Sequence, residues 1–161
     1  MIRNLFIVSL ALVSACSQSS AAPAKSQPDR LSVTQSKSQE GAKAFPGSFT
    51  GKVTVTAFLN PTDTLAASGA LVAFEARGRT AWHTHPAGQT LYVTSGSGWV
   101  QEWNGKKTEI KTGDIVWTPP GVKHWHGGTA TSPMTHVAIQ ALANGKNVDW
   151  MEPVTDEQYG K

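Results

Sequence analysis

The stretch GRTAWHTHPAGQTLYVTSG, Gly78 to Gly96, decides how this chain is read. It sets two histidines one residue apart, follows them with Gln89, and runs on into a Val/Thr/Tyr-rich segment bounded by glycine. In an extended strand alternate side chains share a face, so His83 and His85 point one way and Trp82 and Thr84 the other. His124 and His126 repeat the pattern around Trp125, and all five histidines fall between residues 83 and 136. One doublet is a surface accident or a pair of satisfied core histidines. Two doublets flanked by Gly, Pro and Trp point to a metal, because imidazole is the commonest metal donor and a barrel collects its ligands from separate strands.

Working outward, runs of strand character alternate with turn residues: VTVTAFL then NPTD, ALVAFEA then RGR, TLYVT then SGSG, WVQEW then NGK, TEI then KTGD, IVWT then PPG, and MTHVAIQAL then NGK. Asn104-Gly105 between two such runs is a hairpin signal. Seven or more short strands with no helical period before residue 150 predict an all-β sandwich or small barrel. Pro153 and Thr155 predict one short C-terminal helix. Glu75 and Asp114 read as strand-edge and turn residues, and Trp82, Trp99, Trp117 and Trp125 as core or subunit-contact residues.

With 161 residues, the chain has room for one domain plus targeting sequence. Its net charge is +3 and no run of Lys or Arg forms a phosphate-binding stripe, which argues against nucleic acid as a partner. Residues 1–15, MIRNLFIVSLALVSA, are too short an apolar run to span a bilayer and read as a signal peptide. The single cysteine, Cys16, follows Val13-Ser14-Ala15 as in a bacterial lipoprotein signal, so lipidation and a membrane anchor facing the periplasm are expected, on the outer membrane in a Gram-negative cell. A plain secretory signal is the alternative. Residues 16–44 are rich in Ser, Gln, Ala and Lys and predict a flexible tether, with the domain spanning 45–161.

Two motifs carry a family resemblance. Gly78-RTAW-His83-T-His85-PAG-Gln89-TLYVTS-Gly96 resembles the first cupin motif, and Gly113-DIVWT-Pro119-P-Gly121-VK-His124 the second. Gly78 stands one residue nearer the histidine than usual, and Gly128 stands where many cupins have Asn; neither is a ligand position. With MTHVAIQ and VDWMEPVTDEQY added, the segment from Phe49 to Tyr159 is similar to the bacterial manganese-dependent cupin hydroxynitrile lyases, which split cyanohydrins such as mandelonitrile into an aldehyde and cyanide. The resemblance implies a single-domain jelly-roll β-barrel. It implies His83, His85, Gln89 and His124 as metal ligands, and Ala70, Val72, His126, His136 and Gln140 as pocket residues. The lipoprotein-like leader departs from that family.

Three imidazoles and a carboxamide are neutral, so a divalent ion among them keeps its full charge and favours anions such as alkoxide, cyanide or hydroxide. On this reading a cyanohydrin is the small-molecule substrate, His136 or His126 takes its hydroxyl proton, and Gln140 orients it. His136 as a backbone-bonded core residue and Gln140 as a surface amide are the plainer alternatives. Manganese is the ion the resemblance implies, whereas a nitrogen-rich set favours copper or zinc by affinity; iron and nickel also suit it. A metal-dependent cupin dioxygenase and a non-catalytic periplasmic binding module are the competing functions. Outward apolar strand faces predict a homodimer or homotetramer.

Overall fold

The computed structural model describes residues 31, 33–35, 42–43, 46–62 and 64–160. The segment expected to be a signal peptide, Cys16 and most of the expected tether lie outside the described residues. Two short strands, β1 (Ala42–Lys43) and β2 (Phe49–Thr50), precede β3 (Val53–Leu59) and β4 (Ala67–Phe74). The histidine-bearing stretch supplies β5 (Arg79–Thr80), β6 (His83–Thr84) and the long β7 (Gln89–Glu102). Then come β8 (Thr108–Lys111), β9 (Ile115–Thr118), β10 (His124–Gly128), β11 (Met134–Ala141), β12 (Asp149–Trp150) and one helix, α1 (Asp156–Gly160).

All the pairings are antiparallel. β1, β3, β4, β11, the first half of β7 and β9 make one sheet. The second half of β7 joins β8 and β10 in the other sheet, with β5, β2, β6 and β12 completing it. One strand shared by two facing sheets gives the all-β, jelly-roll barrel that the strand pattern and the motifs predicted.

The shared strand corrects one expectation. Ser95-Gly-Ser-Gly98 reads as a turn, yet β7 runs straight through it. Gly96 adopts φ +75° and a Cβ there would lie 2.1 Å from the Pro133 carbonyl oxygen, while one on Gly98 would lie 2.3 Å from that of Gly127. The glycines let the strand bend and cross between sheets with its neighbours pressed against the backbone. The strand carrying the first histidine doublet is also shorter than alternation suggested: it ends at Thr84, and His85 lies just beyond it. The partners of the two acids are likewise visible: Glu75 pairs with Lys52 at 3.2 Å, and Asp114 Oδ2 accepts the Lys111 N–H at 2.8 Å.

Alternation along β10 separates its two faces cleanly. Trp125 packs with Trp82, Val154 and Tyr159 on one side, while His124 and His126 turn inward. A second cluster, Val72, Phe74, Val93, Ile110 and Met134, fills the barrel. Full burial of each such side chain contributes about 1.5–3 kcal/mol. The C-terminal helix opens on a reciprocal cap: Thr155 Oγ1 accepts the Gln158 N–H, and Gln158 Oε1 accepts the Thr155 N–H. Arg79, buried beneath it, donates to the Val154 carbonyl and to Asp156 Oδ1 and stacks its guanidinium 4.7 Å from the Tyr159 ring centroid. Tyr159 Oη donates to the Gly128 carbonyl, so the tail is fastened to the strands that bear the histidines.

The outer face of the first sheet has two cross-strand rows. One runs Thr56, Leu71, Val137, Tyr92, Ile115 and the next Gly69, Ile139, Thr90, Trp117. Leu71, Tyr92, Ile115, Trp117 and Ile139 are exposed there.

Candidate metal centre and cavity

β6 and β10 pair with His83 opposite His124, and Gln89 opens β7 beside them. Each of the three histidines is held at Nδ1 by a backbone carbonyl: His83 by Ala81 at 2.9 Å, His124 by Val122 at 3.0 Å and His85 by Asn147 at 2.6 Å. A carbonyl only accepts, so every Nδ1 carries the proton and every Nε2 keeps a lone pair. His85 Nε2 is buried with no partner. Gln89 Oε1 stands 3.2 Å from His124 Nε2, two acceptors facing each other with no proton between them. The ligand nitrogens of His83, His85 and His124 lie within 4.8 Å of one another. Lone pairs gathered on one point without a donor are the signature of a cation site, and the set fits a divalent ion.

The electrostatics agree. Burial, reinforced by the neighbouring His124 and His85, drives the His83 pKa well below the usual histidine range. Burial takes His124 down to about 4. It also lowers His85, against the opposing pull of the Asn147 carbonyl, Gln89 and Asp149. All three are therefore neutral near pH 7, the form that binds metal. No carboxylate among the described residues joins the cluster.

A cavity of about 590 Å³ opens onto this centre. His83, His85 and Gln89 form one end of it, His126, His136 and Gln140 one wall, and Ala70 and Val72 part of an otherwise apolar lining. His124 belongs to the cluster and lines a separate, smaller hollow. His136 Nε2 lies 3.1 Å from His126 Nδ1, leaving His126 Nε2 and His136 Nδ1 buried without partners. Desolvation lowers both, His136 to about 4. Gln140 Oε1 meets Gln89 Nε2 at 3.5 Å, a long contact that turns the Gln89 oxygen toward the histidines. Every residue named from the sequence for the metal and the pocket is thus in one place. Cys16 lies outside the described residues.

Several contributors escaped sequence reading. Asn147 holds His85 through its carbonyl and donates from Nδ2 to Ser68 Oγ on β4 at 2.9 Å. Thr80 Oγ1 accepts the His126 N–H at 3.1 Å. Phe49 and Trp150, 5.4 Å apart between ring centroids, form an aromatic edge to the cavity, with Trp150 4.8 Å from His83. Trp150 had a signal, since it stands in a segment that carried the resemblance. A backbone carbonyl leaves none.

The cupin domain family model matches residues 70–139. Over 122 residues the chain is 53% identical to the (R)-mandelonitrile lyase of Granulicella tundricola, an alignment covering 76% of this chain and 93% of that protein. Among solved structures, a cupin-like protein from Thermotoga maritima superposes with a TM-score of 0.71 at 36% identity, covering 74% of this chain and 90% of that one. The polyketide cyclase of Streptomyces resistomycificus shares the fold at 15% identity, with a TM-score of 0.64 over 81% of this chain and 91% of its own.

Proposed function

The chain belongs to the cupin family, and from that premise we propose that it is a divalent-metal-dependent lyase that splits cyanohydrins into an aldehyde and hydrogen cyanide. The observation that carries the reading is the pairing of two features in one apolar cavity: a ligand set with no negative charge, and a neutral, hydrogen-bonded histidine pair beside it. The 53% identity to a named mandelonitrile lyase supports it.

His83, His85, His124 and Gln89 would hold the ion. When bound, it supplies Lewis-acid stabilisation of developing negative charge, undiminished by any ligand carboxylate. The rest falls to side chains. His126 and His136 share one hydrogen bond, so whichever tautomer the pair adopts, one free imidazole nitrogen is a lone pair. That nitrogen takes the hydroxyl proton. The oxygen lone pair closes the carbonyl, the carbon–carbon electron pair leaves with cyanide, and the imidazolium returns the proton to give hydrogen cyanide. Gln140, its oxygen turned to Gln89, has its amide N–H groups available to orient the substrate. Ala70, Val72 and Ala138 leave room for it.

Manganese is the ion the sequence resemblance suggests, while affinity alone favours copper or zinc at a nitrogen-rich site, so the test is run with each. Protein loaded with one ion is incubated with mandelonitrile. Equimolar benzaldehyde and cyanide above the buffer rate support the reading; no product with any ion, or oxygen uptake in place of cyanide release, overturns it.

A further inference from the structure

We infer that Trp150 selects the substrate, by holding a flat, uncharged aromatic group in a slot between its own ring and a floor of alanines. The reaction performed on that substrate rests on the lyase reading; the slot itself does not. Strand register builds the floor. Ala57, Ala70 and Ala138 stand side by side on β3, β4 and β11, and all line the cavity. The neighbouring inward row on the same strands is Val55, Val72 and His136, and beyond the alanines on β11 stands Gln140. A row of methyl groups between longer side chains is a shallow trough. The opposite jaw comes from the facing sheet. Trp150 pairs with His83 across β12 and β6, and its ring lies 4.8 Å from that of His83 and 5.4 Å from that of Phe49. Main-chain bonds fix β12 there: the Met151 N–H donates to the Trp82 carbonyl at 2.9 Å, and the Trp82 N–H to that of Glu152 at 3.0 Å. Trp150 nevertheless lines the cavity and is 38% exposed, so a ring held in place still offers open surface.

The lining decides the class of group. Among the described residues it contains no Lys, Arg, Asp or Glu, so a carboxylate or phosphate on the substrate would be desolvated with no counter-charge from a side chain. A cation can rest on an indole face, but beside a divalent ion held by His83 it would be repelled. A neutral group remains. Among neutral groups a planar π-system gains most from an aromatic wall, through offset or edge contacts that a saturated ring cannot make. A planar ring is also the shape that a trough one methyl row wide admits. Because Trp150 adjoins His83, a ring held there brings its substituent to the metal end of the cavity.

The probes are benzyl alcohol and cyclohexylmethanol, titrated calorimetrically into the full zinc-loaded chain and into Trp150→Leu and Trp150→Phe proteins of equal zinc content. The saturated ring is the more apolar of the two, so burial alone favours cyclohexylmethanol. The wild type is expected to bind benzyl alcohol about three- to tenfold more tightly. Trp150→Leu should lose that preference and Trp150→Phe should retain most of it. A merely structural tryptophan would weaken both alcohols alike and leave the preference intact in Trp150→Leu. That result, or equal or reversed affinities in the wild type, would overturn the assignment. Turnover of mandelonitrile and of its cyclohexyl counterpart separates slot from reaction: the binding preference with neither cyanohydrin cleaved would leave the slot standing and remove the lyase reading.

Discussion

His136 Nε2 stands 3.1 Å from His126 Nδ1, and neither ring has any other hydrogen-bond partner among the described residues. A buried pair with both outer nitrogens unsatisfied is expensive to maintain in a fold, and the cavity they line gives those nitrogens a use. Replacing His136 by Phe keeps an aromatic ring, removes both nitrogens and leaves the four metal-facing residues untouched. Turnover should fall by about 10²- to 10⁴-fold, the usual contribution of a general base, with metal per chain unchanged by elemental analysis. Full activity in a metallated His136→Phe protein would remove His136 from the chemistry.

Gln89 is the position where charge can be changed without changing shape. A Gln89→Glu chain should bind a divalent ion more tightly in calorimetry, since a carboxylate cancels part of its charge. It should also turn over more slowly, since the same cancellation weakens stabilisation of the departing anion. Tighter binding with undiminished turnover would mean that the neutral ligand set is incidental.

Asn147 ties His85 to β4 through two of its own groups, the carbonyl to His85 and the amide to Ser68. Asn147→Ala removes the second tie and loosens the first. Metal affinity should drop by about tenfold, at the low end for supporting groups of this kind, and Ser68→Ala should reproduce part of the loss. Unchanged affinity in both would show that the loop holds its place unaided.

Much of this site could be read before any coordinates, and the residues show why. His124, Trp125 and His126 obeyed strand alternation because β10 is a regular strand buried on both faces. Thr155 announced its helix because capping is local chemistry. Ser95 to Gly98 misled because glycine serves a turn and a sheet-crossing bend equally well, and only the approach of Pro133 and Gly127 distinguishes them. The His85 restraint was invisible because its acceptor is a main-chain carbonyl 62 residues away.

Acid should unfold the metal-free protein for a definite reason. The unfolded chain takes up protons near the ordinary histidine value of 6.5, while burial keeps folded His136 neutral down to about 4 and pushes His83, His85, His124 and His126 the same way. Between those values the unfolded state binds more protons, so the contribution to stability is complete above about 6.5 and is lost as pH falls toward 4. Melting temperatures in chelator should therefore decline across that window. A flat profile would mean that the histidines are not buried as described.

The central claim is that the three histidines and Gln89 hold an ion on which cyanohydrin cleavage depends. The direct measurement is benzaldehyde release from mandelonitrile by the full chain, stripped with chelator and then titrated back with manganese. Turnover that vanishes on stripping and returns in proportion to bound ion is the predicted result. An unchanged rate in the stripped protein, or none in the fully metallated one, would contradict it.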